Sequence, residues 1–230
     1  ADENSISLDR MYLEALVTPD STSGIFSSRM MDLSLESNTS PTGLINSIQH
    51  QVQSHLSDSL TMESQKDSLV FVNLEAFVRQ DPFLSEILLP GLQEMDSIQI
   101  FLRFDEAEHH LEAMVDAPHI VYSGVELDSL FLLARSVPDL FTFDLGLQRL
   151  ATGPITINRT VLTNRIEDQV LYTHFLAQHQ DKELLQFQTE TTQVGDSIRI
   201  HFDPTLMVFD AKSWVIPQNN QIMVGTSKIQ

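Results

Sequence analysis

Ser97-Ile98-Gln99-Ile100-Phe101-Leu102-Arg103-Phe104-Asp105 is the stretch whose reading decides the fold. Ile98, Ile100, Leu102 and Phe104 fall on one side of an extended chain. Gln99, Arg103 and Asp105 fall on the other, with Phe101 the exception. Alternation of this kind marks a strand with one dry face and one wet face. Downstream, Leu111, Ala113 and Val115 alternate with His110, Glu112 and Asp116, and Phe141-Thr142-Phe143-Asp144-Leu145-Gly146-Leu147-Gln148 repeats the pattern. Further strand candidates lie at 31–36, 69–79, 125–135, 155–163, 170–178, 184–192, 198–202 and 206–210. They recur roughly every 10–14 residues with short, turn-rich breaks, which predicts an antiparallel meander rather than βαβ units.

Two segments depart from period two. Ser40-Pro41 reads as an N-cap followed by proline at the first helical position. Leu44, Ile45, Ile48, Val52 and Leu56 then fall at helical spacing, which predicts a helix over 41–57. In Asp81-Pro82-Phe83-Leu84-Ser85-Glu86-Ile87-Leu88-Leu89-Pro90-Gly91, Asp81 can cap, Pro82 can start and Pro90-Gly91 must stop a short helix near 82–89. Its expected apolar face is Phe83, Leu84, Ile87 and Leu88. Residues 61–66 read as a loop.

The composition narrows the function classes. In 230 residues there are 13 Lys+Arg against 32 Asp+Glu, a net charge of −19. Phosphate neutralisation needs clustered cations, so nucleic acid is not an expected partner. An anionic bilayer surface is equally disfavoured. With 42% apolar residues and 13 Phe the chain is not a disordered acidic tail. Zero cysteine excludes disulfides, zinc-thiolate sites and thiol nucleophiles. No run of about 18 apolar residues offers a membrane helix. The start, Ala1-Asp2-Glu3-Asn4-Ser5, lacks signal-peptide character and reads as a mature start or as a piece of a longer chain.

Catalytic motifs are not found: no G-x-S-x-G, H-E-x-x-H, P-loop or dinucleotide glycine pattern occurs. His109-His110 would point to opposite faces of a strand, and His50 and His55 stand five apart on the helix, so neither pair shares a ligand-binding face. His119, His174, His179 and His201 show no matching carboxylate spacing. Glu106 and Glu108 read as a charged turn, and no calcium-loop pattern accompanies the acidity. Asn38-Thr39-Ser40 and Asn158-Arg159-Thr160 match the glycosylation sequon. Trp214 reads as an apolar plug where a sheet closes, or as a platform for a sugar. Asp-Ser-aliphatic recurs at Asp58, Asp67, Asp96, Asp128 and Asp196, a pattern suited to turns that open strands.

Two stretches carry a family resemblance. The first runs through Val70-Phe71-Val72-Asn73-Leu74, Asp81-Pro82-Phe83-Leu84 and Leu89-Pro90-Gly91-Leu92. It continues through 98–104 and 111–115 to His119-Ile120-Val121-Tyr122-Ser123-Gly124-Val125-Glu126-Leu127-Asp128-Ser129-Leu130. The second runs from 141–150 and Gly153-Pro154-Ile155-Thr156 to Phe202-Asp203-Pro204 and Trp214-Val215-Ile216-Pro217-Gln218-Asn219-Asn220-Gln221-Ile222. Their order over 67–225 resembles the interior of TamB-type translocation and assembly proteins of the Bacteroidota, within the AsmA-like group. The resemblance implies a mainly β fold: a long, twisted antiparallel sheet curled into an open, taco-like groove. It also implies the periplasmic part of an inner-membrane-anchored protein of a Gram-negative bacterium. Such a protein conducts phospholipid towards the outer membrane in outer-membrane biogenesis and works with an Omp85-type barrel. No catalytic residue, metal or cofactor comes with it.

The residues agree at one point, because a sheet with one apolar face must cover it with protein or with something else. Phospholipid acyl chains suit the second option. The lining candidates are Ile98, Ile100, Leu102, Phe104, Leu111, Ala113, Val115, Phe141, Phe143, Leu145 and Leu147. An ordinary closed core is the other reading of the same residues, and the helix at 41–57 is a candidate plug. Residues 1–66 are expected to form N-terminal strands plus the helix, and 67–230 the groove, either as two parts or as one continuous unit over 1–230. In the same family setting Ser59, Ser68, Ser97, Ser129 and Ser197 become O-glycosylation candidates. The rival from another class is a self-contained β-sandwich that binds carbohydrate or a protein partner.

Overall fold

The computed structural model describes residues 10–18, 20–56 and 69–225. Sixteen strands form one antiparallel sheet. The first four are β1 (Tyr12–Thr18), β2 (Ser21–Ser27), β3 (Met31–Ser37) and β4 (Phe71–Val78). Then come β5 (Leu92–Met95), β6 (Ile98–Asp105), β7 (His110–Tyr122), β8 (Val125–Val137), β9 (Leu140–Thr152) and β10 (Ile155–Glu167). The series ends with β11 (Val170–His179), β12 (Lys182–Val194), β13 (Ser197–Phe202), β14 (Val208–Phe209), β15 (Lys212–Ser213) and β16 (Ile222–Gly225). One helix, α1 (Pro41–Ser54), and one π-helical turn (Leu84–Leu88) complete the described elements.

Spatial order follows chain order. Short β5 pairs with the far end of β7 (Met95↔Ile120) and β6 with its near end (Gln99↔Asp116), so the two share one side of β7. In the same way β13 and β14 share one side of β12. The path ends at β1 and β16, which do not meet, so the sheet is open rather than a barrel. It is a single curled sheet, not two sheets packed face to face. β3 pairs with β4 over seven residues, from Met31↔Val78 to Ser37↔Val72, so the ladder is continuous across the segment that carries α1.

Tight hairpins set the register. Ser123-Gly124, Asp168-Gln169, Gln180-Asp181 and Asp210-Ala211 each place two successive residues at positive φ. That is the turn whose twist matches flanking antiparallel strands. A crease also crosses the sheet. Between Ala117↔Leu130 and His119↔Asp128 the ladder skips Pro118 and Ser129. The next pairings skip Gln148 and then Arg159, which stand in line with them. Proline has no N–H to donate, and Ser129 and Arg159 adopt φ of 54° and 42°. Ala117 is buried on the inner face, yet Ile120, three residues on, also packs inward against the Leu84, Leu92 and Met95 cluster. The in–out alternation therefore steps by one residue at the crease.

The structure sharpens several expectations. Ser40 caps α1 by accepting from the Gly43 N–H at 3.2 Å, and Pro41 is the first helical residue. Ile45, assigned to the apolar stripe by spacing, is 57% exposed. The short helix is a single π turn. Asp81 Oδ1 accepts from Phe83 N at 2.9 Å and the Leu89 N–H reaches the Leu84 carbonyl at 2.7 Å. Only Leu84 of its expected apolar face is buried, while Ile87 and Leu88 point to solvent, because a five-residue bond turns those two outward. Strand 206–210 shrinks to two residues, and β1 and β2 give bounds to N-terminal strands expected only as part of 1–66. The loop reading for 61–66 lies outside the described residues.

Candidate functional site

Cross-strand pairing sorts the inner face into parallel rows that run perpendicular to the strands. The first row is Ser37, Val72, Phe104, Leu111, Ser136, Phe141 and Ile166. Every one of these is buried. The next holds Leu35, Leu74, Leu102, Ala113, Ala134 and Phe143 before it turns polar at Asn164. The third row is apolar throughout: Leu13, Phe26, Leu33, Ala76, Ile100, Val115, Leu132, Leu145, Leu162, Phe175 and Phe187. It takes one residue from each strand from β1 to β4 and from β6 to β12. At about 4.8 Å between strands it runs on the order of 50 Å. None of its side chains is fully buried. Phe187 stacks on Phe175 at 5.4 Å and meets Phe202 edge-on at 6.1 Å, which carries the stripe to β13.

All eleven lining candidates lie on this face. Phe104, Leu111 and Phe141 sit in the first row, Leu102, Ala113 and Phe143 in the second, and Ile100, Val115 and Leu145 in the third. Ile98 (opposite Val78) and Leu147 (opposite Thr160) lie in a fourth row, next to the crease. The opposite face carries Asn73, Arg103, Glu112, Arg135, Thr142, Arg165, Tyr172, Glu190 and His201 in one transverse row. Glu112 and Arg135 pair across it at 3.4 Å. Arg165 reaches Glu167 at 3.3 Å and lies 4.9 Å above the Tyr172 ring. A few apolar side chains interrupt this wet face. Phe77, Phe101 and Met114 line a shallow dish of about 400 Å³ there, with Asp32 and Glu75 at its margin. Phe131 lies against Gly146, where an added Cβ would come within 2.4 Å of the ring.

Helix α1 covers the first row. Leu44, Ile48, Val52 and Leu56, four residues apart, pack on the cluster of Val72, Phe104, Leu111, Phe141 and Ile166. Fourteen residues span about 21 Å. The helix side chains that are fully buried are nevertheless polar, Ser47 and Gln51. Gln51 Nε2 donates to the His109 carbonyl and to Ser136 Oγ, both at 3.1 Å. The His55 ring lies 3.1 Å from the Val137 carbonyl, and Thr22 donates to the Thr39 carbonyl at 2.8 Å. The third row stays open beside the helix.

Beyond the crease four strands meet in a charged clasp. His119 Nδ1 lies 2.6 Å from Asp128 Oδ1, with Glu94 4.0 Å from the other ring nitrogen. Arg149 Nη1 reaches Glu126 at 2.6 Å and Asp128 at 3.0 Å. His119, Glu126 and Asp128 are close enough to share a metal ion, but the Arg149 guanidinium already supplies their counter-charge. The hydrogen bond to Asp128 holds the His119 imidazole above its ordinary range, with Asp128, Glu94 and Glu126 charges adding to it. The same bond, aided by Arg149, holds Asp128 below the usual carboxylate range. A raised histidine stabilises fully below its unfolded value of about 6.5 and loses that contribution as pH climbs through the folded value. A depressed aspartate stabilises above about 3.9 and loses that contribution as pH falls through its folded value. The clasp is therefore strongest between these limits. Urea melts should show His119→Ala costing more stability at pH 5.5 than at pH 8.5, and an equal cost at both would refute the assignment.

Spacing along the sequence hid this cluster, because His119 and Asp128 stand nine apart and meet only by folding back at Ser123-Gly124. Counting outward from that turn would have found the pair. The other singled-out residues have structural partners. Glu106 accepts from the Val70 N–H at 2.8 Å, and Asp105 caps the turn at Ala107 and Glu108. The Asn38 amide bonds Leu69 and Phe71, and Asn158 accepts from Gln180. Trp214 is 53% exposed and meets Phe209 edge-on at 6.4 Å, so it does not plug a closed sheet. Ser97 precedes β6 and Ser197 opens β13, whereas Ser129 sits inside β8 at the crease. Ser59 and Ser68 lie outside the described residues.

Among the described residues no helix is long and apolar enough to cross a membrane. No family model, curated protein or solved structure matches the chain.

Proposed function

We propose that the inner face is a track for phospholipid acyl chains and that the chain is a segment of a TamB-type, AsmA-like lipid bridge. In this reading it works in the periplasm, alongside an Omp85-type barrel, and it moves lipid without catalysing a reaction. One observation carries the proposal: the unbroken apolar row from Leu13 to Phe187, left half-open on a sheet whose other face is wet. Such a row gives an acyl chain contact at every strand and offers no side-chain hydrogen bond to a polar ligand. Each buried CH₂ contributes about 0.8 kcal/mol. The net charge of −19 keeps a molecule with exposed grease soluble. The rival reading, a module for carbohydrate or a protein partner, has the exposed Phe209–Trp214 pair in its favour. Those rings stand at 81°, however, and present no shared flat platform to a sugar.

Photolabelling separates the two readings. A phospholipid with a photoactivatable acyl chain should label peptides bearing Leu145, Leu162 and Phe175 and spare the outer-face row around Arg103 and Arg135. Equal labelling of both faces would refute an acyl track.

A further inference from the structure

We infer that the floor beneath α1 is a second acyl-chain site, closed in the resting chain by α1 acting as a displaceable plug. The inference rests on the acyl-track reading and extends it to the covered rows. Three observations point to it.

First, α1 adds nothing to the ladder. β3 and β4 pair directly beneath the segment that bears it, so the helix can leave without breaking a strand. Second, the surface it hides matches the open one. Val72, Phe104 and Leu111 continue the same apolar face as Ala76, Ile100 and Val115, two inward-pointing positions away along the same strands, with Leu74, Leu102 and Ala113 between them. Third, its grip is weak for a core helix. Its fully buried side chains are Ser47 and Gln51, and His50 carries a buried ring nitrogen without a hydrogen-bond partner. Polar groups in a docking face lower the gain from burial, since they exchange water for protein partners at little profit. An acyl chain brings no polar group to that floor. Helix departure also returns Gln51 and His50 to water. Only the second row, Leu74, Leu102 and Ala113, separates the floor from the open third row, so a chain already seated there can advance sideways as α1 lifts.

The absence of cysteine makes a clean test possible. His55→Cys with Ser136→Cys places two thiols where the His55 ring now stands 3.4 Å from Ser136 Oγ, on the covered floor. A short, reducible bis-thiol reagent then ties α1 down. Photoactivatable phospholipid is added with the tie closed and with it reduced, and labelled peptides are mapped. With the tie reduced, the covered Phe104 and Phe141 peptides and the open Phe175 and Phe187 peptides should both be labelled. With the tie closed, labelling of the covered peptides should fall at least fivefold while the open ones hold steady. Ile48→Ser, which loosens α1 without a cross-link, should raise labelling of the covered peptides. Covered labelling that ignores the tie, or stays absent in Ile48→Ser while the open row labels, overturns the plug and leaves the acyl track standing. Absence of label on both rows in every variant overturns both.

Discussion

Replacing Phe104 by alanine is expected to destabilise the chain by about 3–5 kcal/mol, the range for removing a buried phenylalanine. Phe104 is 1% exposed, pairs with Val72 and Leu111, and lies under α1. Its loss leaves a cavity that the ladder cannot close, because backbone pairing fixes the strand spacing. Neither can α1 settle far, since Gln51 is bonded to the His109 carbonyl and Ser136. Phe209→Ala provides the contrast: the ring is 55% exposed, and surface changes of this kind stay near 0.5 kcal/mol. Urea melts followed by circular dichroism give both numbers. Equal losses at the two sites would mean that the first row is not the core.

Leu145→Arg is expected to end lipid carriage while leaving the fold in place. Leu145 stands in the middle of the third row, between Leu132 and Leu162. A guanidinium in an acyl environment costs at least about 2.5–3.5 kcal/mol, and 1.4 kcal/mol is tenfold in an equilibrium. Occupancy at that point should drop about a hundredfold. Leu145 is only partly buried, so the longer side chain can reach water when no lipid is present and the protein still folds. Leu102→Arg tests the neighbouring row in the same way. Phe101→Arg, one residue away on the outer face, should leave carriage intact. Were Phe101→Arg as damaging as Leu145→Arg, face would not be what matters.

The residues that made the sheet legible are those whose alternation is strict. Ile98 to Phe104 reads correctly because each strand there has one dry side, and the meander follows because hairpin turns punctuate the strands closely. The lining candidates share one face for the same reason, since period two in every strand and antiparallel pairing leave no other choice. What alternation cannot show is where it breaks. The crease at Pro118, Ser129, Gln148 and Arg159 depends on four residues from four strands in line, of which only Pro118 marks its place in the sequence. The bounds of β1 were not legible because Tyr12-Leu13-Glu14-Ala15-Leu16-Val17 carries apolar side chains on both sides, so no dry face stands out. α1 was legible from Ser40-Pro41 onward. That its fully buried side chains are Ser47 and Gln51 was not, because Gln51 is held by the His109 carbonyl and Ser136, reached only through the fold.

Organic extraction of the purified chain, followed by mass spectrometry, tests the central claim most directly. Protein made in a Gram-negative host should release phospholipid in a fixed molar ratio, and Leu145→Arg protein of the same circular-dichroism spectrum should release little. A chain that folds, shows its open sheet and yields no phospholipid above the Leu145→Arg background would contradict the account.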